Sequence, residues 1–121
     1  MASEHTMHTR IAPDALPSAI TAYLTAHQAR DAATAVATFT DDAVVVDEGH
    51  TYRGHQEIVA WLSDAASEFT YTTELTGAAT IGAADYDVTQ HLEGNFPGGV
   101  ADLHFRFRLR DGLISHLVIE P

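Results

Sequence analysis

At 121 residues, with a net charge of −11 and no lysine, the chain has room for one domain with its own core and is too acidic to attract nucleic acid or an anionic membrane through bulk charge. It has no cysteine, which excludes a disulfide framework, a thiolate metal centre and a cysteine nucleophile, and which suits a cytoplasmic location. No stretch approaches the roughly 18 continuous apolar residues of a membrane span.

Residues 1–12 carry no apolar run of the kind a secretion signal needs and are expected to be a mobile leader; residues 13–121 are expected to form a single domain. From Asp14 onward, Leu16, Ala19, Ile20, Tyr23, Leu24 and His27 recur at helical spacing. Asp14 is placed to cap that helix, Pro17 is tolerable in its first turn, and Tyr23 falls on the buried face. A second, short helix is capped by Asp31, turns Ala32, Ala35, Val36 and Phe39 inward, and is closed by "TDD" at 40–42. "AVVVDE" then alternates as a strand, with Ala43, Val45 and Asp47 on one face and Val44, Val46 and Glu48 on the other. Gly49 marks a turn, and "TYR" returns as a short strand. A third helix runs from about His55 to Glu68 with Ile58, Trp61, Leu62, Ala65 and Phe69 on one side. His55, at its start, reads as solvated.

After Phe69 the apolar period changes from helical to alternating, giving strands at 70–81, 84–93, 100–110 and 113–119. "IGAAD" and "RDG" read as tight turns and "GNFPGG" as a wider hairpin loop. In 100–110, Leu103, Phe105, Phe107 and Leu109 face one way and Asp102, His104, Arg106, Arg108 and Arg110 the other. In "YDVTQHLE" the inward set is Tyr86, Val88, Gln90 and Leu92, which makes Gln90 a polar group among apolar neighbours. The last strand has two readings. Its pattern prefers Leu113, Leu117 and Ile119 inward, and a bulge would reconcile that with His116, Val118 and Glu120. Helices first and a long antiparallel meander after make the fold α+β.

Across "AYLTAHQARDAATAVATFTDDAVVVD", residues 22–47, the chain resembles ketosteroid isomerase and, through it, the nuclear-transport-factor-2-like superfamily that also holds the SnoaL-like polyketide cyclases. A helix-borne tyrosine, an "FxDDA" corner and a strand-borne aspartate fall here in the same ungapped register, at Tyr23, Phe39 to Ala43 and Asp47. "HFRF" at 104–107 recurs in the late strand. The resemblance implies three N-terminal helices packed in a strongly curved, mainly antiparallel sheet, a cone-shaped cystatin-like roll. It also implies a site in which an aspartate moves a proton while a tyrosine and a protonated acid hold an enolate oxygen. Asp47 takes the first role and Tyr23 the second. Leu103 stands where the protonated acid would be, and Asp102, one residue away, points to the opposite face.

The expected function is a pocket for a small hydrophobic or polyketide-like carbonyl compound, with isomerase, cyclase or hydratase chemistry if it turns over. The alternative is a non-catalytic ligand-binding or dimerising module of the same fold. Asp47, Tyr23 and His50 are the catalytic candidates, and Phe39, Val45, Trp61, Gln90, Leu103, Phe105 and His116 the pocket candidates. Asp47 read blandly would cap its turn or pair with Arg53, and His50 would be an exposed turn residue. None of the eight histidines forms a tight metal-binding motif, although His91, His104, Asp102 and Glu93 share an outer face; neither metal nor organic cofactor is expected. That outer face, with its three arginines opposite Asp85, Asp87 and Glu93, is expected to join two copies as a homodimer.

Overall fold

The computed structural model describes residues 9–68 and 70–121, and of residues 64–68 the backbone only. The expected leader up to position 8, and the side chains of Ala65 and Phe69, lie outside the described residues. Three helices, α1 (Ser18–Gln28), α2 (Ala32–Val36) and α3 (Gly54–Glu68), pack against one seven-stranded sheet. Its strands are β1 (Thr9–Arg10), β2 (Phe39–Asp47), β3 (His50–Arg53), β4 (Tyr71–Thr80), β5 (Asp85–Gly94), β6 (Val100–Arg110) and β7 (Leu113–Glu120), in the order β1-β4-β5-β6-β7-β2-β3. Neighbours are antiparallel except β2 and β7, which run parallel. This is the α+β roll expected from the sequence.

Among the described residues the register shifts three times across the sheet, once between Phe39 and Val44 of β2 against β7 and twice where a single extra residue adds curvature and twist. In β4 the register steps from Leu75 opposite Gln90 to Gly77 opposite Thr89, leaving Thr76 over. In β7 it steps from Ile114 opposite Leu109 to His116 opposite Arg108, leaving Ser115 over. The bulge in β7 resolves the ambiguous last strand. Ile114, Leu117 and Ile119 are buried, whereas Leu113 and His116 are exposed.

The core fills the concave side. Ile20 and Tyr23 of α1, Phe39 and Val45 of β2, Ile58 of α3, and Val88, Phe105, Phe107, Ile114 and Leu117 of the sheet are its largest fully buried side chains. Each such apolar group contributes roughly 1.5–3 kcal/mol by leaving water. Tyr23 anchors the packing: Phe39 and Phe107 meet its ring edge-on, both at 5.6 Å between centroids.

Three local expectations differ from what forms. Asp14 does not cap α1; it lies in a single 3-10 turn at Pro13–Ala15, and Pro17 immediately precedes the helix without a side-chain cap. Helix α2 is capped by Asp31, whose carboxylate accepts from Thr34 N at 3.2 Å and Thr34 Oγ1 at 2.6 Å, but it ends at Val36. Phe39 and the "TDD" residues belong to β2 instead, because Ile114 N–H donates to Thr38 O at 2.8 Å and draws that segment into the sheet beside β7. His55 is not simply solvated. Its Nε2 donates to Phe39 O at 2.9 Å, tying the start of α3 to the start of β2.

At the other end, Thr9 and Arg10 pair with Thr80 and Ala79, and Ile11 N–H donates to Ala78 O at 3.0 Å. The described part of the expected leader is thus held on the sheet. Among the described residues no helix is long and apolar enough to cross a membrane.

Candidate functional site

Asp47 is the last residue of β2, and the strand's alternation carries it to the same side as buried Ala43 and Val45. The chain reverses at once through Glu48 and Gly49, both at positive φ (53° and 80°), the geometry of a type I′ hairpin turn. That turn places His50 directly across from Asp47 in the ladder. His50 is exposed, and it is the smallest of the influences on the Asp47 pKa, acting to lower it. Arg53 is the ladder partner of Val44, on the other face, so it does not pair with Asp47.

The partner Asp47 does have is Trp61. The indole Nε1 of this buried α3 residue donates to Asp47 Oδ2 at 3.0 Å. Burial raises the proton affinity of the carboxyl and is the largest influence on it; the Trp61 hydrogen bond opposes the shift, Glu48 adds to it, and His50 opposes it. Asp47 is therefore a half-buried acid with one oxygen fixed by a neutral donor.

It stands on the wall of a cavity of about 830 Å³. Trp61, Leu103 and Phe105 line the same cavity, together with Leu92, Phe96 and Ile119, so most of the wall is apolar. Two further polar residues were not singled out from the sequence. His27, in the last turn of α1, and Tyr71, at the start of β4, both line the cavity, and their polar atoms meet at 3.3 Å between Tyr71 Oη and His27 Nε2. Burial, then the charge of Arg30, lowers the His27 pKa and keeps the ring neutral. Burial raises that of Tyr71, with Arg30 pulling the other way and Asp47 adding to the rise. The sequence signal available for His27 was a titratable ring on an otherwise apolar helical stripe; for Tyr71 there was none.

Tyr23, Phe39, Val45, Gln90 and His116 are not on the cavity wall. Tyr23 is fully buried, stacked on His27 at 5.6 Å, and its hydroxyl has no hydrogen-bond partner among the described residues. Burial, followed by Tyr71 and Asp47, lifts its pKa well above the usual phenol value. Gln90 faces inward as expected, and its amide nitrogen is likewise enclosed without a partner. Phe39 and Val45 are core, and His116 is exposed opposite Val44 and Arg108 on the outer side of the sheet.

The outer face is a ladder of paired charges. His91 Nδ1 lies 2.7 Å from Asp102 Oδ1 and its Nε2 lies 2.9 Å from Glu93 Oε2, so both ring nitrogens face carboxylates. His104 contacts buried Asp87 at 3.0 Å, Arg106 contacts Glu120, and Arg108 Nε donates to Asp85 at 2.8 Å. His91 and His104 thus have separate carboxylate partners. Among the described residues no group of three His, Cys, Asp or Glu side chains converges as a metal site.

The chain is similar to several solved structures. Protein SMa1630 of Sinorhizobium meliloti, a proposed polyketide cyclase, shares 29% identity and a TM-score of 0.85 over 91% of this chain and 100% of its own. A protein of Catenulispora acidiphila with a ketosteroid isomerase-like fold, solved with trimethylamine, is 18% identical with a TM-score of 0.76, covering 87% of this chain and 85% of that one. RV0760c of Mycobacterium tuberculosis, solved with estradiol-17beta-hemisuccinate, is also 18% identical, with a TM-score of 0.71 over 85% of this chain and 90% of its own. No curated protein matches the chain in sequence. The SnoaL-like domain description matches residues 20–117, a span that takes in His27, Asp47, Trp61, Tyr71 and every strand from β2 into β7, and the protein is a member of that family.

Proposed function

We propose that the cavity takes a small apolar carbonyl compound and that Asp47 removes or returns a proton beside its carbonyl carbon. The observation that carries this reading is the state of Asp47. Its Oδ2 is held by Trp61, its proton affinity is raised by burial, and it borders an apolar cavity. A base is most effective when its pKa approaches the working pH, and a fixed carboxylate loses little freedom in the transition state. Trp61 orients the group, leaving Oδ1 to take the proton from carbon. Similar proteins lend support: RV0760c was solved with estradiol-17beta-hemisuccinate, and SMa1630 is a proposed polyketide cyclase. We also propose that two copies pair through the outer faces of β5, β6 and β7.

The test is exchange of the activated methylene protons of 2-tetralone, a small bicyclic ketone, followed by NMR in D2O. Wild-type protein is expected to accelerate exchange, and Asp47→Asn to lose at least about a hundredfold of that acceleration while still binding the ketone. Saturable binding with no acceleration would sink the catalytic reading and leave a ligand-binding module.

A further inference from the structure

A carbonyl bound near Asp47 needs a hydrogen-bond donor for its oxygen, because charge collects there as the proton leaves carbon. The resemblance assigns that role to Tyr23, yet the Tyr23 hydroxyl is enclosed by protein and is not on the cavity wall. The described residues lining the cavity include three acids, Asp47, Glu48 and Glu120; carboxylates accept when ionised, and that of Glu120 is engaged by Arg106 on the outer face. The only side-chain donors among the described lining residues belong to Trp61, His27 and Tyr71. The Trp61 N–H is already engaged by Asp47. That leaves the His27–Tyr71 pair.

On that reading of the cavity as a carbonyl site, we propose that Tyr71 is the residue that binds the ligand's oxygen and that His27 positions it. The 3.3 Å contact between Tyr71 Oη and His27 Nε2 has two proton arrangements. With the proton on Nε2, His27 donates to the phenol oxygen and the Tyr71 O–H is free for the ligand. With the proton on Nδ1, Tyr71 donates to His27 and offers only lone pairs. A ketone oxygen selects the first arrangement, and the imidazole then backs the phenol as it gives its hydrogen bond to the developing oxyanion.

Two further contacts fit this assignment. The Arg30 guanidinium carbon lies 6.0 Å from the Tyr71 ring centroid, where its positive charge favours negative charge building on the phenol oxygen. Arg30 sits just past α1 at φ 60°, a left-handed position that glycine would occupy with less strain. Phe96 packs edge-on against the same ring, at 6.3 Å between centroids. Tyr71 is thereby held between helix, sheet and loop beside the cavity. Asp47 supplies the base and Tyr71 the donor, from separate strands.

The experiment compares 2-tetralone with tetralin, the hydrocarbon of nearly the same shape, by NMR titration of each protein. The readout is the ratio of the ketone's Kd to the hydrocarbon's, which cancels general changes in apolar fit. Tyr71→Phe is expected to raise this ratio about tenfold, the worth of one neutral hydrogen bond, with the tetralin Kd unchanged. His27→Gln, on the other element, should raise it by about threefold and serves alone if the tyrosine variant does not fold. Tyr23→Phe should leave it unchanged. A ratio unmoved in Tyr71→Phe and His27→Gln, or raised by Tyr23→Phe instead, overturns the inference. If that happens while Asp47-dependent exchange persists, the base assignment stands and only the donor is wrong. If wild type holds neither compound, both readings fall together.

Discussion

Asp47 can be examined without knowing any substrate. Its pKa is raised in the folded protein, first by burial, so over a window above its ordinary 3.8 the folded state binds a proton that the unfolded chain has released. Stability therefore falls as pH rises through the folded value, and the ionised carboxylate at neutral pH opposes folding. Asp47→Asn keeps an oxygen for Trp61 and removes the charge. It is expected to melt about 2–4 °C above wild type at pH 7, with the gap closing below about pH 4. A lower melt at pH 7 would instead make Asp47 a structural acid whose charge is stabilising. The placement of Asp47 was legible because alternation fixes a strand residue's face from two apolar neighbours, Ala43 and Val45. Tyr71 was not, since its role depends on His27 from a helix far away in sequence.

At the level of elements, the β2–β3 hairpin sets where the acid stands. Glu48 occupies a left-handed position that asparagine tolerates better than glutamate, and its charge adds to the raised proton affinity of Asp47. Glu48→Asn is therefore expected to gain about 0.5 kcal/mol in denaturant unfolding. It should also move the pH midpoint of ketone exchange downward, because the neighbouring negative charge is gone. An unchanged midpoint would separate the turn from the site. The boundary missed between α2 and β2 has the same lesson in reverse. "ATFTDDA" has no local mark that Phe39 leaves a helix for a strand, because the hydrogen bond from Ile114 comes from the last strand. Asp42 was likewise read as part of a helix stop. It is a strand residue whose carboxyl is held at about 2, first by its hydrogen bond from Arg110 across the fold.

At the scale of the whole molecule, the outside of the sheet carries a ladder of opposite charges. Arginine and histidine on β6 and β5 face carboxylates on β5, β6 and β7, so the outer face is locally balanced although each chain carries −11. If two copies pair there, the remaining charges repel, and added salt should screen them. Sedimentation is expected to give a dimer whose Kd falls between 20 mM and 300 mM salt; a monomer throughout would refute pairing through this face. The α+β order and the late meander were readable because the apolar period changes at Phe69. The bends were less so, because Thr76 and Ser115 are extra residues only relative to partners the linear sequence does not name.

The parallel pairing of β2 with β7 has a consequence in time. β2 lies early in the chain and β7 near its end, yet β7 sits in the middle of the sheet, bonded to β6 on one side and β2 on the other. Until β7 docks, the edges of β2 and β6 that face it stay open and the site half held by β2 has no fixed relation to the half held by β4. Such distant pairings fold in milliseconds to seconds rather than microseconds. The acid and its cavity are completed by the last strand in the sequence, and any delay in its docking leaves two open edges exposed to the wrong partner.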